Sequence, residues 1–131
     1  MKNFTDNVFY ETALVLREKG YDEFCSWYYH DEEEYFGDDT KEMVGDLPVK
    51  NSELMNRVCA PTFAEVFDWL HERGLSVEVK CRNPINTCKE CWYGSVYRIS
   101  TAKMLWGSDI PDSPLWSIAA DRAIMEALKL I

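Results

Sequence analysis

At 131 residues the chain has the length of one domain, enough to bury about two thirds of its unfolded surface without cross-links. Hydrophobic residues at 47%, aromatics at 14% and charged residues at 28% describe a globular chain and exclude a disordered, fibrous or membrane-spanning one. The net charge of −9 sits at the front: residues 1–60 hold 6 Lys+Arg against 14 Asp+Glu, a balance of −8, and residues 61–131 hold 8 against 9, a balance of −1. Such a surface repels nucleic acid, which binds proteins through clustered cations.

In chain order, the first element is a helix over residues 7–19. Phe9, Ala13, Leu14 and Leu16 share one side, Thr5 or Asp6 caps it, and Gly20 supplies the left-handed stop. Residues 21–29 carry Tyr21, Phe24, Trp27, Tyr28 and Tyr29 around Cys25, which suits a connecting segment or short strand laid on the core. From His30 to Asn56 no period survives: Asp31-Glu32-Glu33-Glu34 and Asp38-Asp39 alternate with the breakers Gly37, Gly45 and Pro48. This reads as an exposed acidic loop with at most short strands. A calcium loop counted from Asp31 needs glycine sixth, where Phe36 stands and Gly37 arrives one late, so a solvated run of carboxylates is the better reading.

Thr62 and Glu65, three apart after Pro61, spell a capping box that opens a helix over residues 62–73. Phe63, Val66, Phe67 and Leu70 form its stripe, Trp69 widens it and Gly74 closes it. Residues 75–82 then alternate with period two, placing Val77, Val79 and Cys81 inside and Ser76, Glu78 and Lys80 outside. Asn83-Pro84-Ile85-Asn86 turns the chain, and residues 92–100 return as an antiparallel strand, with a third short strand at 102–106. Ser113-Pro114 predicts an N-cap and first helical residue for a last helix to about Leu130. Trp116, Ala119, Ala120, Ala123, Ile124, Ala127, Leu128 and Ile131 face inward there, and Asp121, Arg122, Glu126 and Lys129 stay wet.

These elements predict an α+β fold: helix, two- or three-stranded antiparallel meander, helix, with an additional N-terminal helix and the helices on one face of the sheet. The whole is read as a single domain, 1–131, composed of the N-terminal helix and aromatic segment (1–29), the acidic loop (30–56) and the helix-hairpin-helix core (57–131). No repeat or low-complexity segment interrupts it.

Chemistry-bearing residues are few. Cys81, Cys88 and Cys91 have the only ligand-like spacing, since a Cys-x2-Cys knuckle offers two thiolates to a tetrahedral zinc and Cys59 or His71 could complete the set. A zinc ribbon supplies two knuckles and this chain has one, so free thiols at a long turn are the favoured reading and no metal or cofactor is expected. A redox pair is disfavoured because Cys88-x2-Cys91 precedes a strand rather than opening a helix. His71 reads as a solvated cation near a helix end, and His30 as part of the acidic loop. No phosphate loop, nucleophile elbow or His-x-x-x-His helix occurs, which disfavours an enzyme. With no signal-type apolar run and no stretch near the roughly 18 residues of a membrane span, the expected location is the cytoplasm, with all five cysteines reduced.

Three stretches carry a resemblance: Glu11 to Glu23 (ETALVLREKGYDE), Cys59-Ala60-Pro61-Thr62-Phe63 leading to Asp68 to Gly74 (DWLHERG), and Ala119 through Ala127-Leu128-Lys129-Leu130-Ile131. Together they resemble a group of small uncharacterised proteins of Bacteroides-type genomes, prophages and conjugative elements. The resemblance implies a mobile-element origin and a helix, hairpin, helix fold, and assigns no activity; the Cys88-x2-Cys91 insertion departs from its pattern. The order of the back half is also similar to double-stranded-RNA-binding domains, which contact RNA through lysines at the start of the last helix. Here Ser113 to Ser117 contains no base. The leading expectation is therefore a non-catalytic binding or accessory protein that meets a protein partner. The alternatives are a nucleic-acid module using the stretch Arg73 to Lys103, with six bases against two acids, and an enzyme with an unrecognised site. An exposed sheet edge or the Trp106 loop offers a route to a homodimer.

Overall fold

A computed structural model describes residues 7–30, 41–43, 48–54, 57–82, 91–108 and 115–131. The fold is α+β with an N-terminal helix, and its residues cluster into two compact units, Met1–Glu65 and Val66–Ile131.

In the first unit, helix α1 (Tyr10–Glu18) precedes a three-stranded antiparallel sheet of β1 (Trp27–His30), β2 (Lys41–Met43) and β3 (Arg57–Cys59), in the order β2-β1-β3. The helix begins three residues later than its apolar pattern predicts. Asn7 is drawn out of it by a bridge to Thr62 and a 2.6 Å hydrogen bond from its Nδ2 to the Ala60 carbonyl, so Phe9 becomes an N-cap without a side-chain bond. The predicted caps Thr5 and Asp6 lie outside the described residues. At the other end Gly20 has φ of +91°, the conformation expected of it. The aromatic segment connects and then, from Trp27, becomes a strand: Tyr28 and Tyr29 are buried, and the Tyr29 hydroxyl donates to the Val8 carbonyl at 2.7 Å.

The stretch read as an acidic loop contains structure. His30 is the last residue of β1, opposite Arg57, and a 3-10 turn spans Asn51–Glu53. Asn51 is buried, donating from Nδ2 to the Tyr21 carbonyl (2.7 Å) and accepting the Cys59 N–H at Oδ1 (2.8 Å). One polar side chain thus satisfies two backbone groups that the core would otherwise strand. The candidate calcium run, residues 31–40, lies outside the described residues.

The expectation of five reduced cysteines fails at Cys25 and Cys59, which form a disulfide with Cα atoms 5.9 Å apart. Pairing of Tyr28 with Cys59 in β1 and β3, and a bridge from Cys25 to Val49, bring the two thiols into bonding range. Their sequence separation of 34 hid this from any local pattern.

Helix α2 (Phe63–Glu72) starts as expected: the Thr62 N–H and Oγ1 donate to Glu65 Oε1, and the Glu65 N–H donates back to Thr62 Oγ1. Caps of this kind contribute about 1 kcal/mol. Val66, Trp69 and Leu70 are buried, and Gly74 ends the helix with φ of +86°.

In the second unit β4 (Leu75–Arg82), β5 (Cys91–Arg98) and β6 (Lys103–Gly107) form an antiparallel meander in that order. Helix α3 (Trp116–Leu128) lies on one face of it, and Phe67 of α2 meets Trp116 of α3 edge-on at 6.2 Å. Helix and sheet approach closely because Gly94 of β5 sits beneath Ala119 and Ala123. Three expectations for α3 fail. Its N-cap is Leu115, with no side-chain bond, and Ser113 and Pro114 lie outside the described residues. Asp121, expected wet, is buried: the alanine stripe lets the helix settle so low that the residue beside it is covered. Ile131, expected inside, is exposed past the helix end.

Candidate functional site

The phase of the meander decides what is available. Gly94 and the fully buried Val96 point toward α3, so Val77 and Val79, opposite them, share that side. Ser76, Glu78, Lys80, Tyr93, Ser95, Tyr97 and Met104 occupy the other face. That face holds a shallow groove of about 310 Å3 lined by Lys80, Tyr93, Ser95, Tyr97, Met104 and Ser108, among others. Met104 is 53% exposed, a large apolar side chain left in water. Glu78 and Lys80 pair at 3.5 Å along the rim, a contact too exposed to contribute much to stability. The outward placement of Ser76, Glu78 and Lys80 matches the sequence; the tyrosines of β5 were expected in a strand, but no local pattern said which face they take.

Of the thiols with ligand-like spacing, Cys81 and Cys91 stand on paired strands one register step apart. Cys81, expected inside, is an exposed free thiol: it follows the inward phase but lies two residues beyond Val79, where the strand runs out from under α3. Cys91 opens β5 opposite Arg82, and Cys88 lies outside the described residues. Cys59 is consumed by Cys25 and can no longer serve as a ligand, and His71 is exposed at the end of α2 as expected. Among the described residues no three His, Cys, Asp or Glu side chains converge to hold a metal, and no helix is long and apolar enough to cross a membrane.

Among the described residues the titratable groups with displaced equilibria, Tyr21 and Asp22, lie in the first unit. Burial pushes the Tyr21 phenol far up, with the Glu65 and Glu23 carboxylates adding to it, so Tyr21 stays neutral. Asp22 is held below the usual carboxylate range by hydrogen bonds from the Ser52 N–H (2.8 Å) and hydroxyl (2.9 Å). A depressed carboxyl pKa stabilises the fold above its unfolded value and loses that effect as pH falls through the folded one. Below about pH 3.9, the ordinary aspartate value, wild-type protein should therefore lose a hold on the 3-10 turn that Asp22→Asn lacks at every pH. Carboxyl resonances followed by NMR check this: an Asp22 titration at or above the ordinary value refutes it.

No known protein family, curated protein or solved structure matches the chain.

Proposed function

We propose that the chain is a small non-catalytic binding protein, an accessory of a mobile element, that meets a protein partner through the uncovered face of β4-β5-β6. The observation that carries this reading is the groove itself: Tyr93, Tyr97 and Met104 are residue types enriched where proteins meet, and they line a shallow surface rather than a deep cleft. Such a surface suits a partner that sets an apolar side chain among Tyr93, Tyr97 and Met104 and offers an acceptor to Lys80. The resemblance to proteins of Bacteroides-type genomes, prophages and conjugative elements supports the mobile-element part.

A second reading has one observation in its favour. The order α2-β4-β5-β6-α3 is that of double-stranded-RNA-binding domains, though a shared topology does not carry function. For the compartment we propose the cytoplasm, where the Cys25–Cys59 bond persists through its burial, at 2% and 1% exposure, which keeps small thiols away from it.

One comparison tests the binding reading. Full-length protein and its Tyr97→Asp, Met104→Asp variant are used to capture host proteins, the captured protein is identified and purified, and both chains are titrated with it. The expected result is at least a tenfold loss of affinity in the variant, as for a buried hot spot. Retention on duplex RNA that falls with salt and ignores the two substitutions overturns the reading in favour of the nucleic-acid one.

A further inference from the structure

Among the described residues β4 is the longest free edge. Its eight residues have β5 as their only strand neighbour there, and the register runs unbroken from Leu75 opposite Arg98 to Arg82 opposite Cys91. Two bonds at the ends of the ladders fix which backbone groups face outward. Ile99 N–H donates to the Gly74 carbonyl at 2.9 Å, so residues 74 and 99 form a hydrogen-bonded pair. Ser108 N–H donates to the Gly94 carbonyl at 3.1 Å, so the even residues around Gly94 turn toward β6 and their odd neighbours toward β4. Antiparallel pairs alternate, and both bonds lead to one phase: Ser76, Glu78, Lys80 and Arg82 spend their backbone groups on β5. Leu75, Val77, Val79 and Cys81 therefore turn N–H and C=O to the open edge.

From this edge we propose that a second copy of the chain pairs with β4, antiparallel, about a two-fold axis at Val79. In that register Val79 bonds the partner's Val79, and Val77 bonds the partner's Cys81, each through the outward backbone groups. Glu78 then stands opposite the partner's Lys80, and Lys80 opposite the partner's Glu78, in the non-hydrogen-bonded positions where cross-strand side chains approach most closely. Both groups are available, with side chains 44% and 64% exposed. Moving the axis by one residue either way, a two-residue slide of the register, sets Glu78 or Lys80 against its own copy, so charge selects one pairing. Charged residues usually keep an edge strand from pairing; this edge reads Glu, Val, Lys, which is complementary to itself when reversed. Val77 and Val79 are only half-buried under α3, and a neighbouring strand would cover their exposed flank. The resulting contact is isologous and closes, as a two-fold interface must.

The pairing does not depend on the groove reading: its backbone bonds run through the edge, and of the groove lining it uses Lys80 but neither Tyr97 nor Met104. The test is the dissociation constant of the full chain by sedimentation. Wild type is expected to form dimers that survive Tyr97→Asp, Met104→Asp and also Cys81→Ser, because the axis keeps the two Cys81 residues apart. Lys80→Glu alone weakens the dimer about tenfold by placing Glu78 against glutamate, and so does Glu78→Lys alone. The combined Glu78→Lys, Lys80→Glu chain restores it, and so does mixing the two single variants, in which each glutamate meets a lysine across the axis while neither chain keeps its internal pair; neither loss of folding nor loss of that pair could mimic the mixture. Val79→Pro, which removes an N–H that β5 does not use, abolishes it. A wild-type chain that stays monomeric at its highest soluble concentration, or a double charge swap that fails to recover, overturns the proposal.

Discussion

Replacing both Cys25 and Cys59 with serine lowers the unfolding free energy of the N-terminal unit by about 4 kcal/mol, the chain-entropy value for a loop closed across this many residues. The separation is 34 residues, and the loop includes the acidic run together with β2 and the 3-10 turn. Without the bond, the unit must hold this loop closed through three-residue strand pairings, the Cys25–Val49 bridge, the two bonds of Asn51 and those of Ser52 to Asp22. Buried serine hydroxyls in place of the sulfurs add to the loss. Since whole domains are stable by only about 5–15 kcal/mol, such a change removes a large share of the total. Denaturant unfolding followed through Trp27 reads it, with a control built in: reductant should move wild type most of the way to the midpoint of the double variant, short of it by what the buried hydroxyls cost, and leave the variant where it is. In addition, unreduced protein in denaturant should leave Cys25 and Cys59 unlabelled by a thiol reagent while the exposed Cys81 reacts. Labelling of Cys25 and Cys59, or equal midpoints for wild type and variant, would sink this account.

What the sequence revealed divides along the range of the forces involved. The capping box of Thr62 and Glu65 and the strand Leu75–Arg82 emerge at their expected places because each is written in neighbouring residues, one by a reciprocal hydrogen bond and the other by period two. The sheet β2-β1-β3 was not legible. Its strands have four, three and three residues, too short for a period, and β1 pairs with β3 across about thirty residues of chain. The start of α1 was misjudged for a related reason: Asn7 fits a helix locally, but Ala60 and Thr62 offer its side chain and backbone better partners. For the groove, Lys80 and Glu78 were placed by alternation. Tyr93 and Tyr97 needed the β4 register and the seat of α3, neither of which a single strand encodes. The cysteines illustrate the limit most directly, because spacing drew attention to Cys81, Cys88 and Cys91, and the bond formed between two residues with no shared motif.

Gly94→Val should destabilise the second unit by about 3 kcal/mol, at the upper end of what inserted core atoms cost. The argument concerns space. A Cβ at this position lies 2.9 Å from the Ala123 Cβ and 3.0 Å from the Ala119 carbonyl oxygen, closer than packed atoms come. Alanine already forces α3 away from β5, and valine adds two branches that must point into the same seam. Neither neighbour can give: Ala123 has no rotamer to change, and the Ala119 oxygen belongs to the helix backbone. Lifting α3 would expose the fully buried Ala119, Ala120, Ala123 and Ile124 stripe that holds helix and sheet together. Gly107 gives the internal comparison, because a Cβ there comes within 2.7 Å of Met104 Sδ, the far end of a flexible and largely exposed side chain. Gly107→Ala should therefore cost under about 0.5 kcal/mol, as at an ordinary surface position, despite the shorter nominal distance. Pairing Gly94→Ala with Ala123→Gly should recover part of the loss and no more, since the Ala119 oxygen remains. Chemical denaturation of the four chains orders them; Gly94→Val and Gly107→Ala of equal stability would mean that α3 does not rest on β5 as described.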